Sequence, residues 1–162
     1  GGGGGGGGGP TPPTQPPPSV TFAPSSTGAG IGLAQGATTT SSTLVLEVRA
    51  TQVTALYGVA FDLTYPNALL RLQGFRAGTF LSSGGAQIST QVAESSPGHL
   101  VVGLSRLGPA PGVDGSGVLL ELQLDAVASG TGAFAFSNNA AYRPDGSVQS
   151  VGWNAGSVSV VR

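Results

Sequence analysis

Few residues in this chain have side chains that do chemistry, and their spacing argues against most reactions. His99 is the single histidine, and it follows a Pro97-Gly98 turn, where an imidazole is usually solvated. Serines are abundant, so a Ser-His-Asp set can be drawn on paper. No Gly-x-Ser-x-Gly elbow between a strand and a helix supports it. Seven carboxylates are scattered along the chain. A glycosidase needs two of them facing one bond, and most of these fall on outward strand positions or in turns. Asp114 and Asp145 lie in Gly-rich turns, but neither loop has the dense Asp/Asn spacing of a calcium site, so no metal site is assigned. The Gly28-Ala29-Gly30-Ile31-Gly32 run lacks a third glycine at the right spacing, a following helix and the Lys-Ser/Thr of a phosphate-cradling loop. It reads as a loop or a glycine-rich edge strand. Cysteine is absent, which removes disulfides, thiolate metal sites and thiol nucleophiles together. These readings point to a protein that is not an enzyme.

The remaining chemistry is recognition. Trp153 and Tyr142 flank the last loop and have the rings to stack on a sugar. The alternative for Trp153, between Gly152 and Asn154, is a cover over one end of the core. A second candidate is the row Ala60, Asp62 and Thr64, with Gln91, Gly103 and Ser105 on neighbouring strands. Small, weakly charged side chains on one sheet face suit docking by shape and a few hydrogen bonds.

Elements that position such a face follow from periodicity. From Gly58 to Tyr65 the chain alternates: Val59, Phe61, Leu63 and Tyr65 point one way, Gly58, Ala60, Asp62 and Thr64 the other. A period of two is the mark of a half-buried strand. Pro66-Asn67 ends it as a turn, and Leu69, Leu70 and Leu72 read as a return strand. The same alternation marks Val20–Ala23, Leu44–Arg49, Ile88–Ala93, Leu100–Ser105, a strand around Phe134 and Phe136, and a closing strand with Val158 and Val160. From Gly117 to Val127, Val118, Leu120, Leu122, Leu124 and Ala126 are expected inside, and Leu119, Glu121, Gln123 and Asp125 outside. Gly74 to Gly85 reads as a folded-over loop with a buried aromatic, and Asn138 to Ser150 as an irregular loop turning at Pro144-Asp145-Gly146.

The sum is all-β: a nine-stranded antiparallel β-sandwich with jelly-roll topology, over residues 19–162. The 29 glycines and 12 prolines among 162 residues fit many turns. About twenty large apolar side chains, at roughly 1.5–3 kcal/mol each, supply the main favourable term. Residues 1–18 read as a disordered linker or tether, nine glycines followed by a polyproline stretch. Six arginines, no lysine and a net charge of −1 make no basic patch, so nucleic acid is not an expected partner. No apolar run is long enough to span a bilayer.

Several stretches together resemble the cohesin family. They are Leu44 to Val48, Leu56-Tyr57-Gly58-Val59-Ala60-Phe61-Asp62-Leu63-Thr64-Tyr65-Pro66, Gly78-Thr79-Phe80-Leu81, Gly115 to Ala126 and Gly156-Ser157-Val158-Ser159-Val160. Their order and spacing cover roughly Val20 to Val161. The resemblance implies a jelly roll that binds a dockerin module on one sheet face, with calcium on the dockerin and no cofactor on this chain. It also implies extracytoplasmic assemblies, often for polysaccharide breakdown, and an alternative as a carbohydrate-binding module of the same jelly-roll class. The location it suggests is secreted, or tethered to the outer surface of a bacterium. The glycine-rich leader is similar to the segment that follows the lipid-bearing cysteine of bacterial lipoproteins, the only expected link to a membrane. Two departures stand out. The family's Tyr-Asp-Pro corner is Tyr65-Pro66-Asn67 here, and Gly58 and Ala60 stand where members place polar contact residues.

Overall fold

The computed structural model describes residues 16–162, and the linker reading lies outside the described residues as far as residue 15. The strands in chain order are β1 (Ser19–Pro24), β2 (Gly30–Gln35), β3 (Thr43–Leu56), β4 (Gly58–Thr64), β5 (Leu70–Ala77), β6 (Ile88–Ser96) and β7 (His99–Arg106). They continue with β8 (Val113–Ala126), β9 (Gly130–Tyr142), β10 (Val148–Gln149), β11 (Trp153–Asn154) and β12 (Gly156–Val161). One 3-10 turn, Ser83–Gly85, precedes β6. Ten segments of six or more residues thus stand where nine strands were expected, with two further segments of two residues each.

Two sheets form a sandwich. One runs β1-β12-β9-β4-β7-β6 with β10 alongside β9, and the other runs β11-β2-β3-β8-β5. Every pairing is antiparallel except β11 with β2. The chain crosses between sheets at every step except β2 to β3, β6 to β7 and β9 to β10. That alternation removes hairpin partners from most neighbours in sequence. The stretch after Pro66 is a case: it does return as a strand, but β5 joins the opposite sheet and pairs with β8.

The core lies between the two inner faces. Val59, Phe61 and Leu63 of β4 and Leu100, Val102 and Leu104 of β7 are buried against Leu44, Leu46 and Val48 of β3 and Leu120, Leu122 and Leu124 of β8. Their burial follows the two-residue period directly. Aromatic rings close the ends: Phe22 meets Phe134 edge-on at 5.5 Å, and Phe61 meets Phe136 at 5.2 Å.

Three local expectations are corrected. Leu119 is buried, not outward. The β3–β8 register steps from Val48↔Leu120 to Arg49↔Val118, so Leu119 is the extra residue of a β-bulge, and the alternation resets there. The segment after Phe136 is not an irregular loop as far as Tyr142. β9 continues through a second bulge, with Asn138 in the left-handed region at φ 48°. The Gly74–Gly85 segment is half strand: β5 runs to Ala77, and only then do Phe80 and Leu81 fold inward. The Gly28–Gly32 run is part strand as well. Gly30 sits at φ 121°, and a Cβ there would lie 2.3 Å from the Gly152 carbonyl oxygen, so the backbone of β2 can approach that loop only without a side chain.

The corner holds without the family's aspartate. The Tyr65 N–H donates to Gly98 O at 2.9 Å, and Pro66 O accepts from the N–H groups of Leu69 (2.9 Å) and Leu70 (3.1 Å). The Tyr65 hydroxyl donates to Glu94, which also accepts from the Gly98 N–H at 3.0 Å. Burial and then that carboxylate push the Tyr65 phenol up to about 12. Arg106 is another buried polar anchor. Its Nη1 donates to Leu81 O at 2.9 Å and its Nη2 to Ser83 O at 3.2 Å, fixing the crossover that leads into β6.

Candidate functional site

The outward row of β4 is set by its inward row. Because Val59, Phe61 and Leu63 are taken by the core, Ala60, Asp62 and Thr64 must face away from it. Strand register then decides their company. Ala60 pairs with Gly103, and Gly103 with Gln91, so these three form one line across β4, β7 and β6. Ser105 pairs with Gly58 one row towards one end, and Asp62 and Thr64 pair with Val101 and His99 towards the other. All six residues proposed from sequence therefore lie on one continuous face.

The structure adds neighbours. Ala140 of β9 pairs with Ala60, and Tyr142 with Gly58. Val101, a large exposed apolar residue at 44% exposure, stands beside Asp62. His99 belongs to the face too, and it was legible: it has the same parity on β7 as Gly103 and Ser105. Asn138 was not legible, because it arrives through the bulge in β9. His99 Nε2–H donates to Asp62 Oδ2 at 2.9 Å, and Asn138 Nδ2 donates to the same oxygen at 3.0 Å. Those two donors, the Asn138 amide first, hold the Asp62 carboxyl below its ordinary 3.8.

That shift has a testable sign. A carboxyl depressed in the folded state stabilises the fold above its unfolded value, and the contribution is lost as pH falls through the folded value. Acid unfolding of the wild type should therefore steepen below about pH 4 relative to Asp62→Ala. Tryptophan fluorescence against pH would check this, and parallel acid limbs would refute it.

At the Ser105 end the face dips into a shallow groove of about 440 Å³. Gly58, Ala60, Gly103 and Ser105 make its floor, with Tyr57, Tyr142, Arg143 and Pro144 on one side and Gln91 on the other. The floor exists because glycine stands at Gly58 and Gly103. A Cβ at Gly58 would meet Leu104 O at 2.8 Å, whereas one at Gly103 would meet nothing within 4 Å.

Trp153 and Tyr142 do not form one platform. Trp153 lies on the opposite sheet, in β11, with its ring 5.8 Å from Phe61 and 5.3 Å from Phe136. It closes one end of the core. Of the two, Tyr142 alone lies on the β4-β7 face, at the groove wall.

The polar side chains on and near the face are engaged with one another or with the backbone. The imidazole of His99 is turned to Asp62, and the Thr64 hydroxyl donates to Ala135 O at 3.3 Å. Asp114 accepts from the Ala55 N–H at 2.7 Å, and Asp145 from the Ser147 N–H and hydroxyl at 2.9 and 2.6 Å, so both organise turns. Among the described residues, no three His, Cys, Asp or Glu side chains are grouped to hold a metal ion. What the face offers is area, mostly small side chains with a shallow groove at one end and few charges.

The two-sheet sandwich has the fold of the cohesins. No family model and no curated protein matches the chain. Among solved structures it is similar to a non-cellulosomal cohesin from the hyperthermophilic archaeon Archaeoglobus fulgidus, at 20% identity over 84% of this chain and 87% of that one, TM-score 0.57. It is similar to the sixth cohesin of scaffoldin B from Acetivibrio cellulolyticus, solved in complex with a Cel5 dockerin mutant, at 17% identity over 80% and 97%, TM-score 0.62. A type II cohesin, A11, from Bacteroides cellulosolvens matches at 15% identity over 82% and 91%, TM-score 0.59. The likeness is one of fold, and it agrees with the resemblance read from the sequence.

Proposed function

We propose that this chain is a non-catalytic receptor module that docks a dockerin-type protein module on the β9-β4-β7-β6 face. The supporting observation is the face itself. Six outward residues from three strands, joined by Ala140, Val101 and His99, make one continuous surface with little charge and no cleft of converging ionisable groups. Solved complexes of this fold with dockerins support the class of partner. Calcium belongs to the partner in this reading, and the module serves an extracytoplasmic assembly, with residues 1–18 as its spacer. Its effect is to raise the local concentration of whatever the partner carries.

The test is capture of purified dockerin modules from a sequence-diverse panel on the immobilised chain, in calcium and again after chelation. Expected is binding of at least one module in calcium, its loss on chelation, and weakening by Asp62→Ala with Thr64→Ala. Typical losses for truncating contact residues at the centre of such a surface are about tenfold or more. Failure of every dockerin, or binding indifferent to these two substitutions, would overturn the assignment.

A further inference from the structure

The docking reading names a class of partner but not its orientation, and an orientation can rest on that reading only if the face itself is directional. At its Ser105 end the face is a trough with Gly58, Ser105, Ala60 and Gly103 along its floor, between Gln91 on β6 and Tyr142 of β9 with Pro144 after it, and Ala140 continues the small row beside Ala60. Gln91 and Ala140 are three strand spacings apart, about 14 Å. An α-helix with its side chains is about 10–12 Å across and fits lengthwise. An extended segment does not suit this place. β7 is paired on both sides by β4 and β6, and β4 by β7 and β9, so the sheet backbone is already spent. An extended chain laid on it would lose water from its own N–H and C=O groups with nothing in return, whereas a helix brings its own hydrogen bonds.

Charge gives the trough a direction. At one end stands Arg143, exposed, donating only to Ser147 Oγ at 3.4 Å and Val148 O at 3.2 Å. Asp145 is in the same turn, where hydrogen bonds from Ser147 and then the field of Arg143 hold its carboxyl below the ordinary 3.8, but no carboxylate among the described residues comes close enough to form an ion pair with Arg143. At the other end stands Asp62, with Asn138 and His99 as its donors. The floor between them, Gly58, Ala60, Gly103, Ser105 and Val101, carries no charge. Tyr142 pairs with Gly58, so the two ends are separated by four to five residues of β4, about 15 Å. That equals about ten residues of α-helix, three turns.

We propose that the partner's helix lies along β4 and β7 in one orientation. It carries a carboxylate over Arg143 and a cation three turns away over Asp62, with small or apolar residues between them over Gly103, Ala60 and Val101. Opposite charges at the two ends of a surface fix the register and penalise the reversed partner.

The experiment is a display library built on a calcium-loaded dockerin with its exposed helix positions randomised. It is selected separately against the wild-type chain and against Arg143→Glu, Asp62→Lys and Gly103→Arg. Wild-type binders should be enriched about tenfold in an acid at one position and a base about ten residues away, the scale of one good charge pair. Arg143→Glu should convert the selected acid to a base and leave the other position alone; Asp62→Lys should do the converse. Equal numbers of both charge orders, or enrichment that ignores the two reversals, would sink the orientation. The Gly103→Arg arm separates the two ideas. Binders that fail on Gly103→Arg but show no charge pattern leave docking standing and remove the orientation. Binders indifferent to Gly103→Arg are not on this face, and the docking reading itself falls.

Discussion

Replacing Gly103 by arginine should abolish partner docking while leaving the fold intact. Gly103 is the centre of the face, between Gln91 and Ala60, and a Cβ there meets nothing within 4 Å. Its φ is not in the left-handed region, so a side chain is admitted without backbone strain. The new chain would project straight into the trough that a helix must fill. Overpacking the centre of a well-fitted interface and stranding a charge there should weaken binding by at least about 100-fold, or about 2.7 kcal/mol. Thermal unfolding should move little, because exposed substitutions away from special backbone positions usually stay within about 0.5 kcal/mol. Gly58→Arg makes the contrast. That side chain would collide with Leu104 O, so lost binding there could reflect a disturbed sheet. Retained affinity in Gly103→Arg, measured by calorimetry against any bound dockerin, would move the interface elsewhere.

Phe61→Ala should produce the largest loss of stability. Phe61 is 1% exposed, and its ring stands between Phe136 at 5.2 Å and Trp153 at 5.8 Å. Truncation removes the transfer free energy of a ring and leaves a cavity that two flanking strands cannot close, a loss of about 3–5 kcal/mol. Against a typical total of about 5–15 kcal/mol, that is about a fifth or more of what holds the domain together. Trp153 reports the change directly, being the only tryptophan and a member of the same cluster. Urea unfolding followed by its fluorescence should show a lower midpoint with an unchanged slope, and an altered native emission as the ring beside it disappears. A loss under about 1 kcal/mol would mean the aromatic cluster is not the keystone of this core.

These two residues also show how far a linear reading reaches. Phe61 was legible as core from alternation alone, because a strand with one apolar row has one way to face. The outward choice of Ala60, Asp62 and Thr64 followed from the same parity. His99 could have been placed on the face by that rule, since it shares the parity of Gly103 and Ser105, but an imidazole directly after a Pro-Gly turn reads as solvated. Leu119 and Asn138 lay beyond such reasoning. Each sits at or beside a bulge, where one extra residue shifts the period, and nothing in the local composition marks the place.

From its own residues the chain determined strand identity, the inner and outer rows of each strand, and the all-β class, because alternating burial is a local property of a pleated backbone. Which strands stand side by side was decided only in three dimensions. Pairing brings Gln91, Gly103, Ala60 and Ala140 into one line from four segments far apart in sequence. It sends the strand after Pro66 to the opposite sheet, and it delivers Asn138 to Asp62. The physical reason is that cross-strand hydrogen bonds are chosen by the packing of the two sheets as a whole. A face assembled from four strands is written in no single one of them.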